Sequence, residues 1–297
     1  MCAPAVCQER SRQIVPEEFA NARPSSPETK TSNPVKRPPP RRNPTAGIKR
    51  PPRYRRKSPV PKAIPKPGIQ LVDIGVTIWR LRPSLPRDEG ARILVMESAQ
   101  TTHLTPERVE HDTILRVGDR VRITVESPRA GYLYIIDREL NADGSLGDPY
   151  LIFPTTRTRG GDNRVTPGKL IDIPGQEDVP GFFTLIPTPE RNDQVGEMLT
   201  IIVTPSPLQG LAIGARPIRI ADADVQRWER AYAGGEVEVF EMEGGAGLTW
   251  TTAEKAASAV GSARLLTQEE PAPQTIFRVS AKTAGSILVT VPLRYRR

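Results

Sequence analysis

Cysteine is nearly absent from this chain of 297 residues: there are two, Cys2 and Cys7, both at the N-terminal extreme. No disulfide can therefore staple the interior of a domain, and no thiolate zinc site is available to one. Histidine is as scarce, with only His103 and His111. No apolar run reaches the roughly 18–20 residues that a membrane helix needs. Familiar catalytic signatures are missing too. There is no G-x-S-x-G elbow, and Ser145 in "DGSLG" lacks the strand before it and the helix after it. The glycines of "GGAGLT", around Gly244, come without the Lys-Ser/Thr of a phosphate loop. Cys2 and Cys7 lie far from any predicted fold, so neither suits a Cys-His nucleophile.

Proline and positive charge are abundant, but only at one end. Residues 1–69 hold 16 Lys and Arg against 4 Glu and no Asp, and residues 1–67 hold 15 of the 32 prolines. From Thr31 to Lys66 there are 12 basic residues and no acidic one. Such a segment has too little apolar surface to offset its ordering entropy, and its prolines and like charges extend it. Residues 1–67 are thus expected to be a disordered, basic, proline-rich tail. The other 228 residues carry 26 basic and 30 acidic groups, so the globular part is mildly acidic. A folded nucleic-acid module would carry the basic footprint on itself. The tail could neutralise phosphates, anionic lipid headgroups or an acidic polymer in a salt-dependent way. Tyr54 is the only aromatic in its basic centre, which gives single strands no stacking platform. Its proline runs also suit an aromatic groove, and a plain spacer explains the composition equally well.

After Gly68 the pattern turns to strands. "IQLVDIGVTIWRLRP" is rich in β-branched residues and bounded by proline, and "ARILVMES" follows it. In "DRVRITVES", Val121, Ile123 and Val125 alternate with Arg122, Thr124 and Glu126, which predicts one buried and one wet face. "GYLYIIDRE" is apolar on both faces and reads as central. "YLIFP", "KLIDIP", "FFTLIP" and "EMLTIIVTP" continue the series, punctuated as in an antiparallel sandwich. The segment 211–297 reads as an α+β extension packing on a core of residues 68–210. Val225, Trp228 and Tyr232 make a helical stripe, with Asp222 or Asp224 as its cap and Gly234-Gly235 as its end. "EVEVFEM" alternates like an edge strand. Thr251 and Glu254 form a capping-box pattern for a second short helix. "TIFRVS" and "SILVTVPLRY" read as a closing hairpin. The expected fold class is therefore mainly β, an antiparallel β-sandwich with two short helices in its C-terminal part.

Four motifs in order, "VGDRVRITVESPRAGYLYIIDREL", "DGSLGDPYLIFPT", "GGDNRVTPGKLIDIPG" and "LTIIVTPSPL", resemble the bacterial domain-of-unknown-function 4384 family over Val117 to Leu208. "GVTIWRLRPS", Gly75 to Ser84, is similar to a common upstream companion. The resemblance implies a β-rich accessory module, and it brings no activity and no catalytic residues.

Candidate sites are few. Glu139, Asn141, Asp143, Gly144 and Asp148 half match a calcium loop, but it opens on Glu and has Tyr150 where a bidentate Glu belongs; a polar hairpin loop is the expectation. His103 and His111 with Glu107 and Glu110 lie in "TTHLTPERVEHDT", which is polar, contains Pro106 and reads as a solvated loop. Asp172, Glu177 and Asp178 read as solvated loop carboxylates. Trp79, Trp228 and Trp250 are expected in the core. The sequence therefore assigns no catalytic, cofactor-binding or metal-ligating residue and no cofactor, and it favours no small-molecule ligand. The expectation is a non-enzymatic accessory binding or structural protein of the bacterial cell envelope, meeting a protein or an anionic polymer. Ala5 and Cys7 before Gln8 resemble the end of a secretory cleavage site, or a lipid-modified Cys7, with a start upstream of Met1. An ordinary polar N-terminus is the alternative. It goes with a cytoplasmic protein whose tail binds nucleic acid or another polyanion nonspecifically.

Overall fold

The computed structural model describes residues 19–26, 52–58, 68–97, 100–189, 193–282 and 285–296. Strands follow in the order β1 (Tyr54–Arg56), β2 (Ile69–Pro83), β3 (Ile93–Glu97), β4 (Gln100–Val109), β5 (Leu115–Arg116), β6 (Arg120–Glu126), β7 (Gly131–Asn141) and β8 (Tyr150–Phe153). After them come β9 (Arg164–Val165), β10 (Leu170–Ile173), β11 (Phe183–Thr184), β12 (Gln194–Thr204), β13 (Ile218–Arg219), helix α1 (Asp222–Tyr232), β14 (Glu238–Met242), helix α2 (Thr252–Ser258), β15 (Thr275–Lys282) and β16 (Ile287–Arg296).

The strands form two sheets. In the first, β1-β14-β15-β2-β4-β3 are neighbours in that order, and β6 pairs with β2 and carries β10 and β11 beyond it. The second runs β13-β8-β7-β12-β16-β5, with β9 also on β7. Pairing is antiparallel except between β16 and β5. The long strand β2 organises the first sheet. Along one edge its first half meets β15 and its second half meets β4, while β6 takes the opposite edge. Its period of two sends Val72, Ile74, Val76 and Ile78 into the space between the sheets. There they join Val121, Ile123 and Val125 of β6, Leu133 and Ile135 of β7, Leu199, Ile201 and Val203 of β12, and Ile287, Val289 and Val291 of β16. The protein is thus an antiparallel β-sandwich, as the alternating strands predict.

Each sheet is covered on its outer face as well. Helix α1 lays Val225 and Trp228 on Tyr134, Ile136, Leu151 and Ile202 of the second sheet. Its cap is the backbone of Ala221, not a side chain, and Asp222 and Asp224 fall in its first turn, where the helix dipole favours them. Helix α2 starts as expected: the Thr251 hydroxyl accepts from the Glu254 amide, and Glu254 reaches back to the Thr251 amide.

Several expectations need correction. The polar face of β6 is not wet: Arg122, Thr124 and Glu126 are all buried. α2, the chain before β15 and pieces of the expected tail cover it. Phe19 and Arg23 are buried, and Gly75 makes room for the ring, since a Cβ there would lie 2.8 Å from Phe19 Cζ. Arg23 is paired with Glu126 and donates to the carbonyls of Thr267, Glu270 and Pro271. Tyr54 is buried as well, and β1 pairs with β14, so "EVEVFEM" is not the sheet edge. Both pieces carry a large apolar or aromatic side chain, which the averaged composition of the tail conceals. The segment expected as a loop around Pro106 is β4. Pro106 is opposite Leu81 of β2, beyond the Gln100–Leu104 stretch that β3 pairs with. The expected closing hairpin does not form: β15 lies between β14 and β2 in the first sheet, and β16 between β12 and β5 in the second. A boundary at residue 210 therefore does not separate a core from an extension. Cys2 and Cys7 lie outside the described residues.

Candidate functional site

Among the described residues β3 pairs only with β4, so its other edge is open. The register sets Leu94 beside His103 on one face of the pair, and Ile93 beside Leu104 on the other. A cleft of about 680 Å³ is lined by Ile93, Leu94, Val95 and His103 together. Successive residues of β3 therefore line one space, which lies beside this strand. Residues 176–181, Lys255 of α2, and Glu89 and Arg92 ahead of β3 line the cleft as well. Two apolar side chains of this lining stand out to solvent: Leu94 is 67% exposed and Val179 60%.

Two arginines hold residues 176–181 in place. Arg122 Nε and Nη2 both donate to the Gly181 carbonyl, at 2.9 and 2.6 Å, and its guanidinium lies 5.4 Å from the Trp250 ring centroid. A Cβ on Gly181 would meet Arg122 Nη2 at 2.8 Å, so glycine permits this approach. Arg157 holds the Val179 carbonyl from the other side, at 2.6 Å. Burial pulls the Arg122 pKa below its usual value, with Asp172, Asp178 and Glu177 acting in the opposite sense. Asp178 accepts from the Gly175 amide and the Thr158 hydroxyl, and Glu177 from the Arg159 amide. These carboxylates shape the loop. Glu177 is exposed, as expected, and Asp178 is half-buried. Asp172 departs furthest from expectation: it is buried in β10, accepts from Thr124 Oγ1 at 2.6 Å, and burial pushes its pKa up.

The other candidates are dispersed. His103 is exposed at the cleft. His111 instead meets Glu241, Nδ1 to Oε1 at 2.6 Å, and stands edge-on to Phe277. Glu107 pairs with Arg80 and Arg82, and Glu110 with Arg55 and Lys57. The half-matched calcium loop is the β7–β8 connection. Asp143 accepts from the Ser145 amide, Asn141 donates to Ser145 Oγ, Glu139 turns to Thr188, and Asp148 pairs with Arg219. The Glu139, Asp143 and Asp148 oxygens turn to separate protein donors. Trp79, Trp228 and Trp250 are buried, as expected.

The sequence reading missed a second constellation. Asp137 and Glu139 of β7, Glu197 of β12 and Tyr295 of β16 continue the inward-facing rows of their strands. Glu139 is directly opposite Glu197, and Tyr295 Oη donates to Glu197 Oε1 at 3.1 Å. Burial pushes Asp137 up to about 7, and burial with the neighbouring Asp137 carboxylate pushes Glu197 up to about 8. Only the register between strands could have revealed this grouping.

No protein-family model, no curated protein and no solved structure matches the chain.

Proposed function

We propose that the protein is a non-enzymatic accessory binding module of the bacterial cell envelope, and that it captures extended polypeptide along the open edge of β3. The cleft beside this strand, which pairs only with β4 among the described residues, carries the reading. An unpaired strand edge offers main-chain donors and acceptors to an added strand, and flanking pockets take its alternate side chains. Leu94 and Val179 supply apolar contact, and Arg122 holds the Gly181 carbonyl. The resemblance to the domain-of-unknown-function 4384 family, whose members are accessory modules, supports the same class of role. His111 and the carboxylates Asp172 and Asp178 act within separate structural pairs, which favours binding over catalysis.

The test is a selection of random displayed peptides on the full-length chain, followed by affinity measurement on the peptides obtained. Peptides with alternating apolar residues are expected. Leu94→Lys, which charges the edge as natural sheet edges are charged, should weaken them by about tenfold or more, a loss of ~1.4 kcal/mol. Equal binding by Leu94→Lys, or a selection that yields no such peptide, overturns the reading.

A further inference from the structure

Four arginines are buried among the described residues: Arg23, Arg108, Arg122 and Arg278. Three of them lie against a carboxylate, Arg23 against Glu126, Arg108 against Glu254 and Arg278 against Asp73. Arg122 is the exception. Its Nε and Nη2 both donate to the Gly181 carbonyl, and its Nη1 is buried with no partner among the described residues. A guanidinium taken out of water without a carboxylate is costly. The Trp250 face and the Gly181 carbonyl offset part of that cost, and neither cancels the charge.

Asp172, Asp178 and Glu177 act on Arg122 through space, but none of them bonds to it. Asp172 accepts from Thr124, and its Oδ2 is buried without a partner just as Arg122 Nη1 is. Burial also favours the neutral form of Asp172. Asp178 Oδ2 takes the Gly175 amide and the Thr158 hydroxyl, and Glu177 Oε1 takes the Arg159 amide. Arg122 lines the cleft beside β3, and two further cations line it too. Lys255 is exposed and has no ion pair among the described residues. Arg92 directs Nη2 to the Leu85 and Pro86 carbonyls and leaves Nε without a partner. Ile93, Leu94, Val95, Val179 and Pro180 give the same space an apolar lining, which a bare inorganic anion would not use.

We propose that the polypeptide captured in this cleft presents one acidic side chain, Asp or Glu, as the counterion that Arg122 lacks. The proposal rests on the binding reading above and adds what the cleft selects. A chain held along β3 by its main chain offers side chains, not its ends, to the cleft. A carboxylate matches the donor fork of a guanidinium better than a neutral acceptor does. Glu89, Glu177 and Asp178 belong to the lining as well, so a run of acids would meet like charge. The favoured ligand is therefore an apolar, extended segment with a single acid.

The test uses the peptides selected on the full-length chain, remade with amidated C-termini so that a side chain is their only carboxylate. They should share one Asp or Glu. Replacing that acid by its carboxamide gives a twin of the same shape, which should bind the native chain about tenfold or more weakly. Arg122→Met keeps an apolar stem beside Trp250 and removes the charge, so the two twins should bind it alike. If that variant shows no cooperative unfolding, Arg122→Lys takes its place. It keeps the charge without the fork, and should narrow the gap between the twins by about threefold or more. A selection that yields no peptide removes the binding reading and this inference together. Peptides that bind without an acid, twins of equal affinity on the native chain, a gap undiminished in the Arg122 variant, or dependence on a free C-terminus leave the binding reading standing and overturn the acid.

Discussion

At the scale of single residues, charges that read as surface are interior partners. Arg23 and Glu126 are the clearest pair: both side chains are almost wholly buried, Nε meets Oε1 at 2.6 Å, and Nη2 meets Oε2 at 2.7 Å. Removing one member leaves the other charged in a space that cannot hydrate it. Arg23→Ala should therefore cost about 3–5 kcal/mol in denaturant unfolding, a loss much larger than the ~0–1 kcal/mol of a surface pair. An effect of surface size would mean that residues 19–26 leave the sheet in solution. Arg108 and Glu254 form a second buried pair, with Arg108 over Trp79. The three tryptophans were legible as core because large aromatics default to it. Asp172, Arg122 and Glu126 were not. Alternation shows which residues share a face, and it cannot show that a second layer will cover the polar one.

Elements were more legible than their partners. The β-branched runs, the Thr251–Glu254 capping box and the Val225–Trp228 stripe all became strands or helices where the pattern placed them. β4 was hidden by Pro106, because a proline inside a strand usually demotes it. Here the proline lies past the end of β3, opposite Leu81 of β2, and its carbonyl accepts from the Trp250 amide beside the Glu107–Thr249 bridge. β15 and β16 were recognised but wrongly paired. Sequence proximity favours a hairpin, and the shared core between two sheets overrode it. The approach to β14 depends on one glycine. A Cβ on Gly234 would lie 1.6 Å from the Ser280 carbonyl oxygen in β15, a backbone atom that cannot swing away. Gly234→Ala should destabilise by roughly 1–3 kcal/mol, the range for overpacking. Gly90, which has open space around it, is the control: Gly90→Ala should change the unfolding midpoint little.

For the whole molecule, the N-terminal segment is part of the domain at two places. Deleting residues 1–67 would remove Phe19, Arg23 and Tyr54 from the outer layer of the first sheet. The truncated chain should unfold at lower denaturant, and loss of any binding in it would say nothing about charge. Replacing the seven Lys and Arg between Lys30 and Arg50 with Gln separates the two effects. Stability should then stay within about 0.5 kcal/mol, while binding to a labelled DNA duplex, if the segment makes it, should lose its steep salt dependence. The composition correctly located the basic charge. It could not locate the anchors, because each is one or two residues in a polar background.

The β3 edge is the central claim, and amide exchange on the full-length chain with a selected peptide addresses it most directly. Binding should protect Ile93–Glu97, where added main-chain hydrogen bonds would form, together with residues 176–181 of the cleft lining. Protection confined to other strands, with β3 exchanging as fast as in the free protein, would contradict it.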